Sequence, residues 1–220
     1  MQRRVRALGA AVLGVVAALV ASAPFRAAAP SAEEILARVT AGDAQLSSYT
    51  VPVHVDARLH RLIGMRFGLN GKVYFKRPDR VALEMRMVPE QYRRLFGELG
   101  TPLTWAAAYE MSVVSSDAAS GRLVYHVRGV PKRPGEIDHM LLDVAADPGV
   151  PLHARFLCRD GTAIDMAIER ETFGSYELPK RVVADMTSGG WKVHAVLDYG
   201  AYELNEAVAD SVFVAAGPAR

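Results

Sequence analysis

The spacing of apolar residues changes near residue 49, and this change predicts where helix gives way to strand. Between Ser31 and Leu46 the apolar side chains recur on one helix face, and Ser31 with Glu34 forms a capping-box sequence at the start. From Tyr49 the period becomes two. Val51, Val53, Val55, Ala57 and Leu59 alternate with His54, Asp56, Arg58 and His60. The pattern predicts a helix followed by a long strand with one apolar face and one polar face.

The two-residue period recurs through most of the remaining chain, in segments separated by short turns. Its apolar members include Val73, Phe75, Val81, Leu83, Met85, Met87, Met140, Leu142, Phe156, Ile164, Met166, Val182 and Leu197. About nine or ten such strands, joined mainly by short turns such as Asp160-Gly161, predict a strongly curved antiparallel sheet. Residues 90–99 return to helical spacing after Pro89 and predict a second helix. Residues 105–114 fit helix or strand, and we assign their second half to a strand.

The predicted fold is therefore α+β and mainly β, an unclosed, strongly curved antiparallel sheet with two or so helices on its apolar face. Two helices of roughly 10 to 14 residues cover only part of such a face, so the remainder must close into a barrel, dimerise or hold an apolar ligand. The face is rich in methionine, which suits a pocket for flexible chains; a plain core with methionine filling gaps is the alternative. These methionines are Met65, Met85, Met87, Met140, Met166 and Met186.

The first 29 residues have the order of a secretory signal peptide. A basic segment at residues 2–6 precedes fourteen mainly apolar residues, 7–20, whereas a spanning helix needs about 20. Small-residue cleavage sites follow between positions 21 and 29, and an uncleaved anchor is the alternative. Residues 30–220 then form a single domain, exported to the periplasm if the source is a Gram-negative bacterium.

The net charge of the chain helps to decide which classes of partner it can bind. The 220 residues include 26 Lys and Arg against 24 Asp and Glu. Removing the signal segment takes away Arg3, Arg4, Arg6 and Arg26, which leaves 22 against 24 and a net charge of −2. A mildly acidic body argues against a nucleic acid partner.

No catalytic motif stands out. The densest group of possible metal ligands is Glu136, Asp138, His139 and Asp143, for which a solvated charged strand face is the preferred interpretation. Cys158 falls on the apolar side of its strand and is expected to be a buried structural thiol. We therefore predict a protein that is not an enzyme and that has no metal or cofactor.

Arg77 is the unusual charge in this pattern. Strand alternation directs it toward the apolar face that Val73 and Phe75 share, at a strand end set by Pro78. A guanidinium there needs acceptors, for which backbone carbonyls of the covering helices or loops are the candidates. The alternative is that Arg77 extends outward to water.

The chain resembles the periplasmic outer-membrane lipoprotein carriers of the Lol system (LolA-like) and related lipoprotein-sorting proteins. The matching segments are Leu46-Ser47-Ser48-Tyr49, residues 71–78 with their Lys-Arg-Pro turn, residues 79–85, Leu142-Asp143 with residues 149–152, residues 199–205 and residues 210–213. Residues 89–105 depart from the family pattern, which favours a broader relative over the carrier proper.

The resemblance implies an unclosed β-barrel with a helical lid that binds acyl chains. It assigns Arg77 to holding the lid of the empty cavity shut. The expected cavity lining is Val73, Phe75, Leu83, Met85, Met87, Met140, Leu142, Phe156, Met166 and Leu197. The implied function is a soluble, monomeric carrier that moves a lipid or lipoprotein from an inner-membrane donor to an outer-membrane acceptor. A sensor on the same fold, which binds lipid or a partner protein in envelope-stress signalling, is the alternative.

Overall fold

The computed structural model of the chain describes residues 30–60, 64–119, 121–147 and 149–214. The predicted signal peptide, residues 1–29, lies outside the described residues. The helices are α1 (Ala32–Thr40), α2 (Glu90–Leu99), α3 (Pro102–Ala108) and α4 (Ser211–Val214), and a 3-10 turn, Ala41–Asp43, follows α1. No helix in the described part of the chain has the length and apolar content needed to cross a membrane.

Eleven strands are formed by the described residues. They are β1 (Ser48–His60), β2 (Met65–Lys76), β3 (Arg80–Met85), β4 (Tyr109–Ala119), β5 (Arg122–Pro131), β6 (Ile137–Ala145), β7 (Pro151–Cys158), β8 (Ala163–Phe173), β9 (Tyr176–Ser188), β10 (Trp191–Tyr199) and β11 (Glu203–Leu204). Ten of them lie in the order β3-β2-β1-β10-β9-β8-β7-β6-β5-β4, and the short β11 pairs with the start of β1. Every pairing is antiparallel, and β3 and β4 remain as edges that do not pair with each other. The predicted unclosed antiparallel sheet is confirmed.

The structure contains α3 and α4 besides the two helices predicted from the sequence. α1 starts at the capping box of Ser31 and Glu34, and α2 has the predicted bounds. A third helix starts at Pro102, after the N-cap residue Thr101, whose backbone N–H donates to Thr104 Oγ1 at 2.9 Å. It includes the first part of the segment that fitted helix or strand. The strand assigned to its second half begins at Tyr109.

Helices α2 and α3 lie beside the gap in the sheet. α2 and α3 follow edge strand β3 in the chain and precede edge strand β4. Trp105 Nε1 of α3 donates to the Leu99 carbonyl at 2.9 Å, and Tyr109 Oη donates to the Glu98 carbonyl at 2.9 Å. Asp79 and Arg133, which follow β2 and β5, form an ion pair at 3.3 Å. The helical insertion therefore takes the place that a closing strand pair would have in a complete barrel.

Two apolar clusters fill the concave side. The larger cluster joins α1, α3 and the end of α2 to the concave faces of β4–β8, and Trp105 lies 6.3 Å from the ring of Phe156 within it. Met166, Ile168 and Met186 pack against this cluster and are only partly buried. The smaller cluster joins β1–β3 to Leu103 and Leu178, with Tyr49 stacked on Phe75 at 5.0 Å. Both clusters contain side chains with no exposed surface, so this part of the concave face is a packed core.

The convex side is polar and carries histidine–aspartate pairs. His126 of β5 lies 2.7 Å from Asp143 of β6 and 3.3 Å from Asp117 of β4. His194 of β10 lies 2.8 Å from Asp185 of β9. These pairs connect neighbouring strands on the solvent-facing side of the sheet, where the strand alternation places them.

Substitution of Trp105 tests how α3 packs on the concave face of the sheet. Trp105→Ala removes a side chain with 0% exposure, and we expect the free energy of unfolding to fall by about 3–5 kcal/mol. Tyr92→Ala on α2, where the ring is 46% exposed, is the control and should cost about 1 kcal/mol or less. Urea unfolding measures both. Equal losses in the two variants would mean that α3 does not pack as described.

The pH dependence of stability tests the histidine–aspartate pairs of the convex face, with His126 as the probe. Its hydrogen bond to Asp143, assisted by Asp117, raises the pKa of His126 above the ordinary value of 6.5. The charged histidine therefore stabilises the folded state fully below pH 6.5, and this stabilisation is lost as the pH rises through the raised pKa. We expect the free energy of unfolding to decrease across this window in the wild type and to decrease less in His126→Gln. His60→Gln, on a strand that does not pair with β4–β6, should keep the wild-type slope.

Candidate functional site: an apolar trough on the concave face

Strand register aligns apolar side chains in continuous rows across the concave face. One row runs through Met65, Leu59, Val193, Met186, Ile164, Phe156 and Met140. The next runs through Phe67, Ala57, Ala195, Ala184, Met166, Ala154 and Leu142. The rows cross from the part of the sheet that the helices cover into a part that they leave open.

The open part is the candidate site. We call it the open trough and define it by apolar residues of β1 and β8–β10 that are only partly buried. These residues are Leu59, Met166, Ile168, Ala184, Met186, Val193, Ala195 and Leu197. Ala184 and Ala195 are neighbours across β9 and β10, and both are only partly buried. A partly exposed apolar surface of this kind is typical of a binding site for an apolar ligand.

A cleft leads to this surface from beneath α2. It has a volume of about 510 Å³ and lies between Tyr92 and Leu95 of α2 and the ends of β7 and β9, where Cys158 and Met186 contribute. Met186 belongs both to the cleft and to the open trough. This volume falls within the range of about 300–1,000 Å³ that small-molecule sites occupy.

A different cleft of about 350 Å³ lies at the gap between the sheet edges. Its walls carry Arg80, Arg94, Lys132 and Arg133, together with Asp79 and Glu98. Charged walls suit an apolar ligand poorly because the charges would lose their hydration, and the cleft beneath α2 also carries Arg94, Glu98, Glu136 and Asp160. We therefore place the candidate site on the open trough itself and in neither cleft.

The residues predicted to line a cavity separate into three groups. Val73, Phe75, Met140, Leu142 and Phe156 have 0% exposure and Met85 has 5%, all within the packed clusters. They can reach a ligand only if the covering helices move. Leu83, Met166 and Leu197 are partly buried, and the latter two belong to the open trough.

Met87 does not share the strand face that was predicted for it. β3 ends at Met85, and Met87 lies in the following turn with a φ of 66° and 91% exposure. The chain leaves the sheet before Met87, in the turn that leads to Pro89 and α2. The alternation of strand side chains therefore no longer determines which way the Met87 side chain points. The prediction that Met87 lies on the apolar face is wrong.

Arg77 turns back to the connection between α1 and β1. Its Nε donates to the Leu46 carbonyl and its Nη2 to the Asp43 carbonyl, both at 2.6 Å. Its backbone N–H donates to the Ser47 carbonyl at 2.9 Å. The expected backbone acceptors are therefore the observed ones, and they join the end of β2 to the segment that carries α1. The role of Arg77 as a lid lock stays a prediction.

Asp43 is a residue that the sequence pattern missed. It is 1% exposed, and its carboxylate accepts from Arg170 Nη2 at 3.0 Å and from the Glu177 backbone N–H at 3.1 Å. Burial raises the pKa of Asp43, although the Arg170 charge acts in the opposite direction. Because Arg170 lies 127 positions along the chain, no local signal in the sequence could have paired the two. Together with Arg77, this ion pair fixes the α1–β1 connection from two sides.

The other chemical candidates do not converge on a site. His139 lies 2.7 Å from Asp138, whereas Asp143 pairs with His126. Among the residues that the structure describes, no group of three or more His, Cys, Asp and Glu could hold a metal. Cys158 is buried, as expected, and burial raises the pKa of its thiol to about 11, so it is a poor nucleophile at neutral pH.

The fold is that of known lipoprotein-carrier-like structures. A LolA superfamily protein from Nitrosomonas europaea matches with a TM-score of 0.57 and 15% identity, over 84% of this chain and 98% of its own. A domain from Vibrio parahaemolyticus, provisionally described as an outer membrane lipoprotein-sorting protein, matches with a TM-score of 0.58 and 9% identity, over 84% and 97%. A DUF1329 family protein from Desulfovibrio piger matches with a TM-score of 0.57 and 14% identity, over 82% and 94%.

Sequence comparisons add no relative. No protein-family model matches the chain, and no curated protein matches it. The resemblance to the LolA-like fold predicted from the sequence is confirmed at the level of structure. At such low identities the similarity establishes the fold and leaves the ligand to be argued from the open trough.

Proposed function

We propose that this protein is an exported carrier that holds acyl chains of a lipid or lipoprotein in the open trough. The observation that carries the proposal is the continuous apolar concave face, which is mostly buried over β4–β7 and β1–β3 and has a partly exposed stretch over β8–β10. The similarity to LolA-superfamily and lipoprotein-sorting structures supports the same function. The carrier would cross the periplasm toward the outer membrane, with an inner-membrane donor and an outer-membrane acceptor.

An acyl chain fits the chemistry of the trough. Each methylene removed from water contributes about 0.8 kcal/mol, so a chain of about 16 carbons offers on the order of 13 kcal/mol. The trough supplies flexible methionine side chains at Met166 and Met186, which adapt to varied chain shapes. The charged groups of the carried molecule can stay in water at the open side.

For cargo to be released, something must compete with it for the apolar surface of the open trough. The covering helices can do this. α1 and α3 already pack on the concave face of β4–β7. If they spread further when the trough empties, closure stabilises the empty state and cargo must offset that stability to enter. The hydrogen bonds of Arg77 to the α1–β1 connection would then favour the closed state.

Export and domain organisation belong to the same proposal. Residues 1–29 are proposed to be a signal peptide and residues 30–220 a single domain, acting as a monomer without metal or cofactor. We also propose that the protein is not an enzyme; among its described residues, no group of three or more His, Cys, Asp and Glu could hold a metal ion.

Filling the trough tests where the ligand binds. Ala195→Phe places a large ring on the concave face of β10, where Ala195 is only partly buried, and should weaken binding of a fluorescent fatty acid by roughly tenfold. Ala167→Phe is the matched control, because Ala167 is exposed on the convex face of β8. Fluorescence titration measures both. Unchanged affinity in Ala195→Phe would place the acyl site elsewhere.

Removing the Arg77 hydrogen bonds tests release. Arg77→Leu loses two contacts of a charged donor, each worth about 1.5–3 kcal/mol, so the closed state should be weakened and cargo retained. Transfer of the bound fluorescent fatty acid to acceptor vesicles should slow by roughly tenfold or more. Arg80→Leu, an exposed arginine whose partner is Asp210, is the control and should transfer normally. Normal transfer by Arg77→Leu would remove the lid-locking role.

Mass spectrometry of the purified protein tests the function directly. Acylated molecules released on delipidation are expected if the protein is a carrier. A stable complex with a signalling protein and an empty trough would contradict the carrier proposal and favour the sensor alternative.

A further inference from the structure

The far end of β1 and β2 exposes apolar side chains beyond the helices. β2 continues past β3, whose last residue pairs with Gly71, so residues 65–70 form a strand edge that β3 does not cover. On this overhang Met65 is 54% exposed and Phe67 is 41% exposed, and both lie on the concave side. They stand next to Leu59, at the end of the open trough.

The opposite side of the same strand ends carries unpaired positive charge. Arg58 of β1 and Arg66 of β2 are direct cross-strand partners, and both are exposed. Like charges directly opposite each other destabilise a sheet. Lys192 of β10 is exposed in the adjacent position, opposite His60. Three cations therefore meet at one end of the sheet.

Nothing in the described structure neutralises these cations. No described carboxylate forms an ion pair with Arg58, Arg66 or Lys192, and the nearby Asp185 pairs with His194 instead. The sequence has no acidic residue from position 57 to 78 or from 186 to 197. Some other cations of the convex face lie beside carboxylates, as Arg181 does with Asp198 at 2.7 Å. The flanking Asp56 lies 3.8 Å from His54 and forms no ion pair with Arg58. This end of the sheet therefore carries an excess of positive charge.

We propose that this end of the sheet, which we call the β1–β2 tip (residues 58–60 and 65–67), docks on an anionic lipid bilayer surface. Apolar side chains on one side of a projecting strand end and arginines on the other fit the boundary between acyl chains and phosphate groups. Met65 and Phe67 contact the acyl boundary, and Arg58, Arg66 and Lys192 contact the lipid phosphates. An acidic protein would use the cations but would leave the exposed methionine and phenylalanine without a role.

Docking at this tip would bring the open trough to the membrane. Leu59 and Val193, neighbours across β1 and β10, belong to the trough and lie in the same register row as Met65. A tip that contacts lipid therefore presents the end of the apolar row to the bilayer. The part of this inference that concerns acyl transfer rests on the proposed function, whereas docking itself can be measured separately.

Vesicle flotation of the purified full chain tests the proposal. Wild type should bind vesicles that contain phosphatidylglycerol, should bind pure phosphatidylcholine vesicles much less, and should lose binding as salt is raised. Arg58→Gln with Arg66→Gln should weaken binding by roughly tenfold or more. Met65→Ser with Phe67→Ser, which changes only exposed side chains, should also weaken it. Arg128→Gln, an exposed arginine on β5 far along the sheet order, is the matched control and should bind as wild type does.

The outcomes separate docking from ligand binding. Vesicle binding that ignores phosphatidylglycerol, or that survives in the Arg58→Gln, Arg66→Gln variant, overturns the proposal. Binding to poly-glutamate without binding to vesicles also overturns it and indicates an acidic protein partner. Fluorescent fatty acid binding without vesicles is measured in parallel and should be unchanged in the arginine variant. In the wild-type protein, absence of vesicle docking together with normal fatty acid binding would contradict the docking surface alone, whereas absence of fatty acid binding would contradict the proposed function.

Discussion

The rest of the structure depends on one constraint: the curved sheet has more apolar concave surface than its helices cover. Antiparallel strands with a two-residue period put nearly every second side chain on that face. α1 and α3 bury it over β4–β7, and the smaller cluster buries it over β1–β3. The partly buried stretch over β8–β10 is the open trough, so the proposed binding surface is the least covered part of the core.

The covering helices are held at a few polar points outside the trough. The segment between α1 and β1 carries Asp43, which is buried and paired with Arg170, and its carbonyls accept from Arg77. Polar contacts of this kind are directional, whereas apolar packing is not, so they determine where a helix rests on a smooth apolar surface. A molecule that opens must break these bonds, and one that closes must remake them in the same geometry.

Sequence periodicity predicted the sheet, α1, α2 and the concave face because each depends on local alternation. β1 and the capping box of Ser31 with Glu34 are examples in which pattern and structure agree. The prediction failed where the chain leaves a regular element, as at Met87, and where a short helix follows a proline, as at Pro102. It also could not show which side chains of the face would be covered. Phe156 and Met166 have the same alternation, but only Phe156 lies beneath Trp105.

The pairing of β1 with β10 and β11 has a consequence for the order of folding. β1 is the first strand to be synthesised, yet two of its partners, β10 and β11, are made last. Near the chain end, Asn205 also accepts a hydrogen bond from the Ser47 N–H at 2.8 Å. Such long-range pairing delays assembly, because a large loop must close before any of these contacts forms. The ribosome therefore has to synthesise almost the entire polypeptide before the sheet can be completed.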